Sequence, residues 1–332
     1  MNYKVYLTSS AKAKKLKKIV EPCIVAIEPE DFTKKEIAAL KEKGYTVLGY
    51  LSVGSVSDER SYYKKLKPYC LKKLDDWPHE WYIDLRKTAV RDWCVSRAKE
   101  IKEAGCNGWW LDNVDVYEEY ESNAMYNAVL SVLRRIKGIG GYVMINGGSK
   151  FLQDKMKNEA NLGAYKVQCG AFGKYENAEE LVRTLKKQNF SSIIKTVETA
   201  DGKILFKVQT GAYSNFSNAY EQMCGLKTSG MSVVIMLEGG DETEIPINKY
   251  VDGVTQEEVL TRITDYSGKG KFGSQTTKQS SFYKEHMCRV NVHGVQTFLL
   301  EYSNSSDMVK KIKQFVNDYG MTGYYCSSDV NL

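Results

Sequence analysis

The sequence predicts an α/β protein, a (β/α)8 barrel interrupted by a small ferredoxin-like α+β domain. Three observations carry that reading. Strand-like apolar segments alternate with amphipathic helical ones over most of the 332 residues, the pattern of a parallel sheet covered by helices. Near the middle, residues 165–178 (YKVQCGAFGKYENA) recur as 206–219 (FKVQTGAYSNFSNA), identical at seven of fourteen positions. Setting aside the roughly 75 residues around that repeat leaves about 257, close to the ~250 of a (β/α)8 barrel. Residues 1–161 and 238–332 are therefore expected to form the two parts of the barrel, and 162–237 the inserted domain.

In chain order, the strand candidates begin with KVYLTS (4–9), CIVAIEP (23–29), TVLGYLSVG (46–54) and EWYIDL (80–85). GWWLDNVD (108–115), YVMING (142–147), YVDGV (250–254), TFLLEYS (297–303) and GYYCSS (323–328) follow. These are nine candidates for eight barrel positions, so one lies outside the barrel or is not a strand. Thr33-Lys-Lys-Glu36 reads as a capping box and Gly44 as the stop of the helix it opens. Val90, Cys94, Arg97 or Ala98, and Ile101 share a helix face, as do Met125, Val129, Val132, Leu133 and Ile136. Met308, Ile312, Phe315, Val316 and Tyr319 define another. Within the insert each copy runs strand, turn, helix, and then a β-branched strand, SIIKTV (192–197) or SVVIML (232–237). That is the split βαβ arrangement of a small antiparallel sheet.

Composition narrows the chemistry. A chain 42% hydrophobic and 27% charged, with 5 Pro, is neither disordered nor fibrous. The net charge of +6 comes from interspersed side chains, 47 basic and 41 acidic, and makes no nucleic-acid footprint. There is no 18-residue apolar run, so no membrane span is expected. The N-terminus lacks the order of a signal peptide; either the chain is not exported by that route or a leader has been removed. Eight scattered cysteines without a C-x-x-C pair read as buried free thiols, not as a disulfide framework or a zinc ribbon. Three histidines without H-E-x-x-H, and no G-x-S-x-G, leave metal and serine-hydrolase chemistry unsupported. No cofactor or metal is expected. Gly268-Lys-Gly270-Lys-Phe-Gly273 has the letters of a phosphate-binding loop, but it follows no strand directly and opens no helix, so it reads as a polar loop.

Carboxylates remain. The working groups of a barrel sit where the strands' C-terminal ends meet the following loops. Those ends bring Glu28, Asp84, Asp112 with Asp115, Asn146, Glu257 and Glu301, six of seven acidic. A single acid there commonly caps a helix; six on one rim repel one another unless a substrate or a proton uses them. Paired carboxylates suit glycoside cleavage, one protonating the leaving oxygen while the other attacks or activates water. Tyr50, Trp81, Trp109, Trp110 and Tyr117 lie near the same ends as candidate sugar platforms, although Trp109, on the face opposite Asp112, reads as core.

The run IEP…GYTVLGYLSVGS…WYIDL…GWWLDNVDVY…MINGG…YVDGVTQEEVL…LLEYS resembles glycoside hydrolase family 114, the endo-α-1,4-polygalactosaminidases. Its most specific parts are LDNVD (111–115) and DGVTQEE (252–258), and the resemblance covers about 1–160 and 238–332. It implies a TIM-barrel O-glycosyl hydrolase that cuts galactosamine-containing polysaccharides with an Asp/Glu pair. Carried over by motif, Asp112 becomes nucleophile or base and Glu257 general acid, with Glu28, Tyr50, Asp84, Asp115, Asn146 and Glu301 lining the sugar site. One departure is visible: after YLSVG many relatives carry Glu, where this chain has Ser55.

The doubled VQ-x-GA-[FY] of the insert resembles the SPOR domain, which binds peptidoglycan glycan strands stripped of stem peptides. Gln168, Phe172, Gln209 and Tyr213 are its signature positions here, unless they only shape the strand ends. Together the resemblances imply a bacterial hydrolase of a galactosamine polymer or a cell-wall glycan. It would be extracellular or cell-wall associated, with any leader absent from this chain and a cytoplasmic place left open. Its expected partners are the polysaccharide and peptidoglycan strands, with no nucleic acid. The alternative is a non-catalytic glycan-binding protein on a barrel that has lost activity, which Ser55 leaves open and the presence of both Asp112 and Glu257 counts against.

Overall fold

A computed structural model of the chain describes residues 3–7, 23–75, 77–160, 163–239 and 245–330. The chain splits into two compact units, one of 1–154 with 247–332 and one of 155–246. Both borders lie outside the 162–237 read from the repeat, and residues 161 and 162 fall outside the described residues.

In the first unit eight parallel strands form one nearly closed sheet. They are β1 (Tyr3–Tyr6), β2 (Ile24–Ile27), β3 (Thr46–Ser52), β4 (Gly108–Asp112), β5 (Tyr142–Asn146), β6 (Gly253–Glu257), β7 (Gln296–Tyr302) and β8 (Gly323–Ser327). Each strand hydrogen-bonds to the next, and β8 meets β1 through side chains, the Tyr6 and Tyr325 rings lying 5.9 Å apart. The strand expected at 4–9 runs Tyr3–Tyr6; Thr8 and Ser9 lie outside the described residues.

Two strand expectations need correction. EWYIDL is a strand but not a barrel strand: Glu80–Ile83 pairs antiparallel with Ser55–Ser57 and with Cys70–Lys73 in a separate three-stranded sheet. The cause is that the chain leaving β3 enters Ser55–Ser57 almost at once, and the connection builds its own sheet before helix Thr88–Glu103. The strand read at 250–254 runs instead from Gly253 to Glu257, so Glu257 ends it. Asp252 fixes that start, its carboxylate accepting from the Val143 N–H at 2.7 Å and from Lys137.

Inside the barrel, alternate residues of the strands fill the centre, as the two-residue period of a strand requires. Tyr3, Val5, Ile24, Ala26, Leu48, Trp110, Met144, Phe298, Leu300 and Tyr302 form one buried cluster. Its polar atoms are paired: the Trp110 indole donates to the Tyr3 hydroxyl at 2.7 Å, which lies 2.9 Å from the Thr255 hydroxyl. The Thr33–Glu36 capping box is present on helix Lys34–Glu42, and Gly44 is left-handed (φ 84°) just past its end. Helices Thr88–Glu103 and Asn123–Lys137 bury their predicted faces, and Ser306–Asp318 buries Ile312, Phe315 and Val316 while Met308 and Tyr319 stay half-buried, each buried Val, Leu or Ile contributing roughly 1.5–3 kcal/mol. All eight cysteines are free thiols, five of them buried. The G-x-G-x-x-G segment spans the turn and enters the second strand of a hairpin, Thr261–Asp265 with Lys271–Ser274. No helix among the described residues is long and apolar enough to cross a membrane.

The second unit is a four-stranded antiparallel sheet in the order 193–198, 204–213, 163–172, 234–239, with helices Tyr175–Lys187 and Phe216–Thr228. That is the split βαβ order. The repeat copies pair with each other, Gln168 opposite Gln209 and Phe172 opposite Phe206. The shared glycine has a steric cause. A Cβ on Gly170 would lie 2.7 Å from the Phe172 ring, and one on Gly211 2.6 Å from the Tyr213 ring. Each motif aromatic folds over the glycine two residues before it, so Phe172 and Tyr213 shape their own strands.

Candidate active site

β4, β5 and β6 are neighbours in the sheet and end on Asp112, Asn146 and Glu257. Each terminal residue keeps the inward parity of its strand, two places after Trp110, Met144 and Thr255. Three polar side chains therefore stand side by side where the apolar core gives out. The Asn146 amide donates to Asp112 Oδ1 at 3.1 Å and to Glu257 Oε1 at 2.7 Å. One nitrogen reaches both oxygens, so the two carboxylates approach within about 6 Å of each other. Tyr50 donates to Asp112 Oδ2 at 3.1 Å, and Tyr302 to Glu257 Oε2 at 2.6 Å. Immediately after each carboxylate the backbone turns left-handed, at Asn113 (φ 60°) and Glu258 (φ 57°). For a residue such as Glu258 that conformation costs about 1–3 kcal/mol and collects at functional sites.

The two carboxyls have different surroundings. Burial raises Glu257 to about 7; hydrogen bonds from Tyr302 and Asn146 oppose the rise, and the charge of Asp112 adds to it. Burial also raises Asp112, but three donors favour its charged form: Asn146, the Asn113 N–H and Tyr50. Burial therefore raises both acids, and they differ in their donors, two side chains on Glu257 against two side chains and a backbone N–H on Asp112. Asp115 rises to about 6, chiefly by burial, with the Gly148 N–H opposing at 2.9 Å and the charge of Asp112 adding to the rise. Gly147 (φ 67°) is required beside it, because a Cβ there would lie 2.7 Å from the Asp115 carboxylate.

Two cavities meet at Asn146 and Glu257. One, of about 350 Å³, is walled by Glu28, Tyr50, Glu80, Asp112 and Tyr302, floored by Trp110, and rimmed by Trp77 and Tyr266. The other, of about 470 Å³, holds Asp115, Lys278, Phe282 and Tyr283. A chain lying across both would present one bond to the Asp112–Glu257 pair.

Of the predicted site residues, Glu28, Tyr50, Asp112, Asn146 and Glu257 line the first cavity, and Asp115 the second. Glu28 is not free there, because Arg60 pairs with it at 2.6 Å. Two expectations fail. Asp84 follows the strand Glu80–Ile83, which lies outside the barrel, and although burial would raise its acid, the Arg86 guanidinium at 2.6 Å holds it low. Glu301 faces away from the cavity, fully buried, accepting from the Leu260 and Thr261 N–H groups at 2.9 Å each and from the Thr261 hydroxyl at 2.5 Å. Trp109 donates to Ala98 O at 2.8 Å in the helix layer, and Tyr117 donates to Asp154 at 2.7 Å; neither borders these cavities, nor does Trp81. Sequence reasoning missed Tyr302, Glu80, Arg60, Trp77 and Tyr266. For Tyr302 a signal existed, since Phe298, Leu300 and Tyr302 share one parity and Glu301 has the other.

Among the described residues, no group of three or more His, Cys, Asp or Glu is arranged to hold a metal ion. In the second unit, Gln209 lines a cavity of about 200 Å³ with Lys166, Ser192 and Ile193.

Comparison with known proteins supports both resemblances. Residues 3–140 match glycoside-hydrolase family GH114 and residues 161–236 the SPOR domain. Asp112 falls inside the first match, while Asn146 and Glu257 lie beyond it. A search of the curated proteins found no match. The glycoside hydrolase domain of PelA from Pseudomonas aeruginosa is 13% identical with a TM-score of 0.61, over 100% of this chain and 96% of that one. Aspergillus fumigatus Ega3, solved with galactosamine, is 13% identical with a TM-score of 0.52, over 97% and 89%. At that identity the likeness is one of fold, a TIM-barrel. The chain therefore joins a TIM barrel matching glycoside-hydrolase family GH114 to a domain matching the SPOR family.

Proposed function

We propose that the barrel is a retaining glycoside hydrolase acting on an amino-sugar polysaccharide. The observation that carries it is the Asn146 amide bridging Asp112 and Glu257 at the junction of two cavities. Retaining enzymes hold their two carboxyls ~5–5.5 Å apart, inverting ones ~6.5–9.5 Å, and the bridge supports the shorter spacing. Asp112, ionised, attacks the anomeric carbon while Glu257 gives its proton to the departing oxygen, leaving a glycosyl ester on Asp112. Glu257, now a carboxylate, takes a proton from water as that water attacks the same carbon and frees Asp112. Asn146 holds the pair in register, and Asp115 positions the sugar on the far side. The GH114 match and the fold shared with PelA and Ega3 favour a galactosamine polymer, cut internally because both cavities are open to chain. The SPOR match favours a second role for residues 162–237, binding denuded peptidoglycan strands through the sheet that carries Gln168 and Gln209, and so a cell-wall setting.

Product analysis on a panel of bacterial polysaccharides, including α-1,4-linked galactosamine polymer and denuded peptidoglycan, tests the reading. Soluble reducing ends with retained α configuration by proton NMR are expected from the wild type. Binding without cleavage of any polymer returns the barrel to the glycan-binding alternative.

A further inference from the structure

We propose that Glu80 reads a free amine on the substrate, binding the ammonium of the hexosamine that occupies the cavity beside Asp112. The proposal rests on the glycosidase reading of that cavity and deepens it. Glu80 comes from the three-stranded sheet outside the barrel, yet its carboxylate lines the same cavity as Asp112 and Glu257. A directional chain of hydrogen bonds aims it. Asn113 Nδ2 donates to Ser52 Oγ at 3.0 Å, the Ser52 and Ser55 hydroxyls bond at 2.8 Å, and Ser55 Oγ donates to Glu80 Oε2 at 2.7 Å. Because Ser55 spends its proton on Glu80 and Asn113 can only donate from that nitrogen, Ser52 must donate to Ser55. Glu80 is thereby tied, as an acceptor, to the residue that follows Asp112.

Its electrostatic position is unusual for this cavity. Arg60, the basic side chain lining it, is taken by Glu28 at 2.6 Å and Glu30 at 3.6 Å. Among the described residues no basic nitrogen lies within ion-pair distance of Glu80; the charge of Arg60 reaches it only from farther off, while Asp112, on the same cavity, disfavours its charged form. Two carboxylates so placed cost free energy until a positive group arrives. An ammonium is the positive group that an amino sugar supplies. The rim beside Glu80 carries Trp77, half exposed, whose ring meets Tyr266 edge-on at 6.1 Å, an apolar face for the ring that bears the ammonium.

The test uses the full chain and two probes, α-1,4-linked galactosamine oligosaccharide and its fully N-acetylated counterpart. Wild type should favour the free amine. Glu80→Gln keeps an oxygen for Ser55 but loses the charge, and should raise KM on the free-amine chain about 10–100-fold, the worth of a charge-assisted hydrogen bond. Its kcat should change far less, and its loss on the N-acetylated chain should be at most a few-fold. Ser55→Ala, which leaves the carboxylate but releases it, should shift the same preference in the same direction and more weakly. Equal loss on both chains, a fall confined to kcat, or a wild-type preference for the N-acetylated chain overturns the proposal while leaving the hydrolase intact. If wild type cuts neither chain, the hydrolase reading fails instead, and calorimetric binding of the same two oligosaccharides to wild type and Glu80→Gln still decides the role of Glu80: a free-amine preference lost in the variant supports it, and equal binding removes it.

Discussion

Glu257 and Glu301 lie on adjacent strands at the same end of the barrel, and burial raises both acids to about 7. Yet they sit in two different regions. Glu257 points into the mouth, held by side-chain donors, Tyr302 and Asn146, and open to two cavities. Glu301 points the other way and clasps the start of the 261–274 hairpin, through the Leu260 and Thr261 N–H groups and the Thr261 hydroxyl. A raised acid therefore identifies burial, not function. What separates the two is access, because Glu257 borders two cavities and Glu301 borders neither, its oxygens being closed off by the segment they hold.

The largest effect should come from replacing the mouth acids. Glu257→Gln and Asp112→Asn keep the shape but remove the transferable proton and the attacking anion, and each should lower kcat about 10²–10⁴-fold, read as reducing ends released. Glu301→Gln should leave kcat within a few-fold. Near-normal turnover in both mouth variants, on a polymer the wild type cuts, would break the contrast.

Stability should divide the other way. Glu301→Ala orphans two buried N–H groups and a hydroxyl, and should cost about 2–4 kcal/mol in urea unfolding at pH 6; Glu257→Gln should cost much less. Both acids share one pH signature. Each binds its proton more tightly folded than in the unfolded chain, where the ordinary value is 4.5. Their stabilising contribution is thus complete below about 4.5 and is lost as pH rises through about 7. Melting temperature should fall over that window in wild type, and less steeply in either Gln variant. A slope unchanged by both substitutions would show that neither acid is raised.

How far the sequence reached follows from the same geometry. Eight strands were legible because each is an apolar run between helical patterns, and the trio Asp112, Asn146, Glu257 because strand ends are where a barrel exposes polar groups. The repeat disclosed the insert because each copy must place a glycine beneath its own aromatic. Two kinds of error remained. EWYIDL is apolar enough for a barrel strand, and nothing local tells that its partners are Ser55–Ser57 and Cys70–Lys73. Glu301 was chosen over Tyr302 by one residue, and on a strand one residue is the opposite face. Glu80 was out of reach, since its place in the mouth depends on a register set by a segment 25 residues earlier.

The smallest expected effect isolates what the mouth adds to burial. Tyr302→Phe removes the hydroxyl that donates to Glu257 at 2.6 Å and leaves the ring that stacks on Phe272, with centroids 6.0 Å apart. That hydrogen bond stabilises the carboxylate, so its loss raises the acid further above about 7. In the kcat/KM profile the alkaline limb marks loss of the protonated acid in the free enzyme, and in the variant it should move to higher pH by up to about one unit. The acidic limb, set by Asp112, should stay where it is, because Asp112 takes its hydroxyl contact from Tyr50 instead. Turnover on the plateau should fall no more than about tenfold, as the proton is still carried but its carboxylate product is less well held. Glu301→Gln supplies the control: its limb should coincide with wild type, since Glu301 belongs to the clasp. An alkaline limb that moves in Glu301→Gln and not in Tyr302→Phe would reverse the assignment of the two acids.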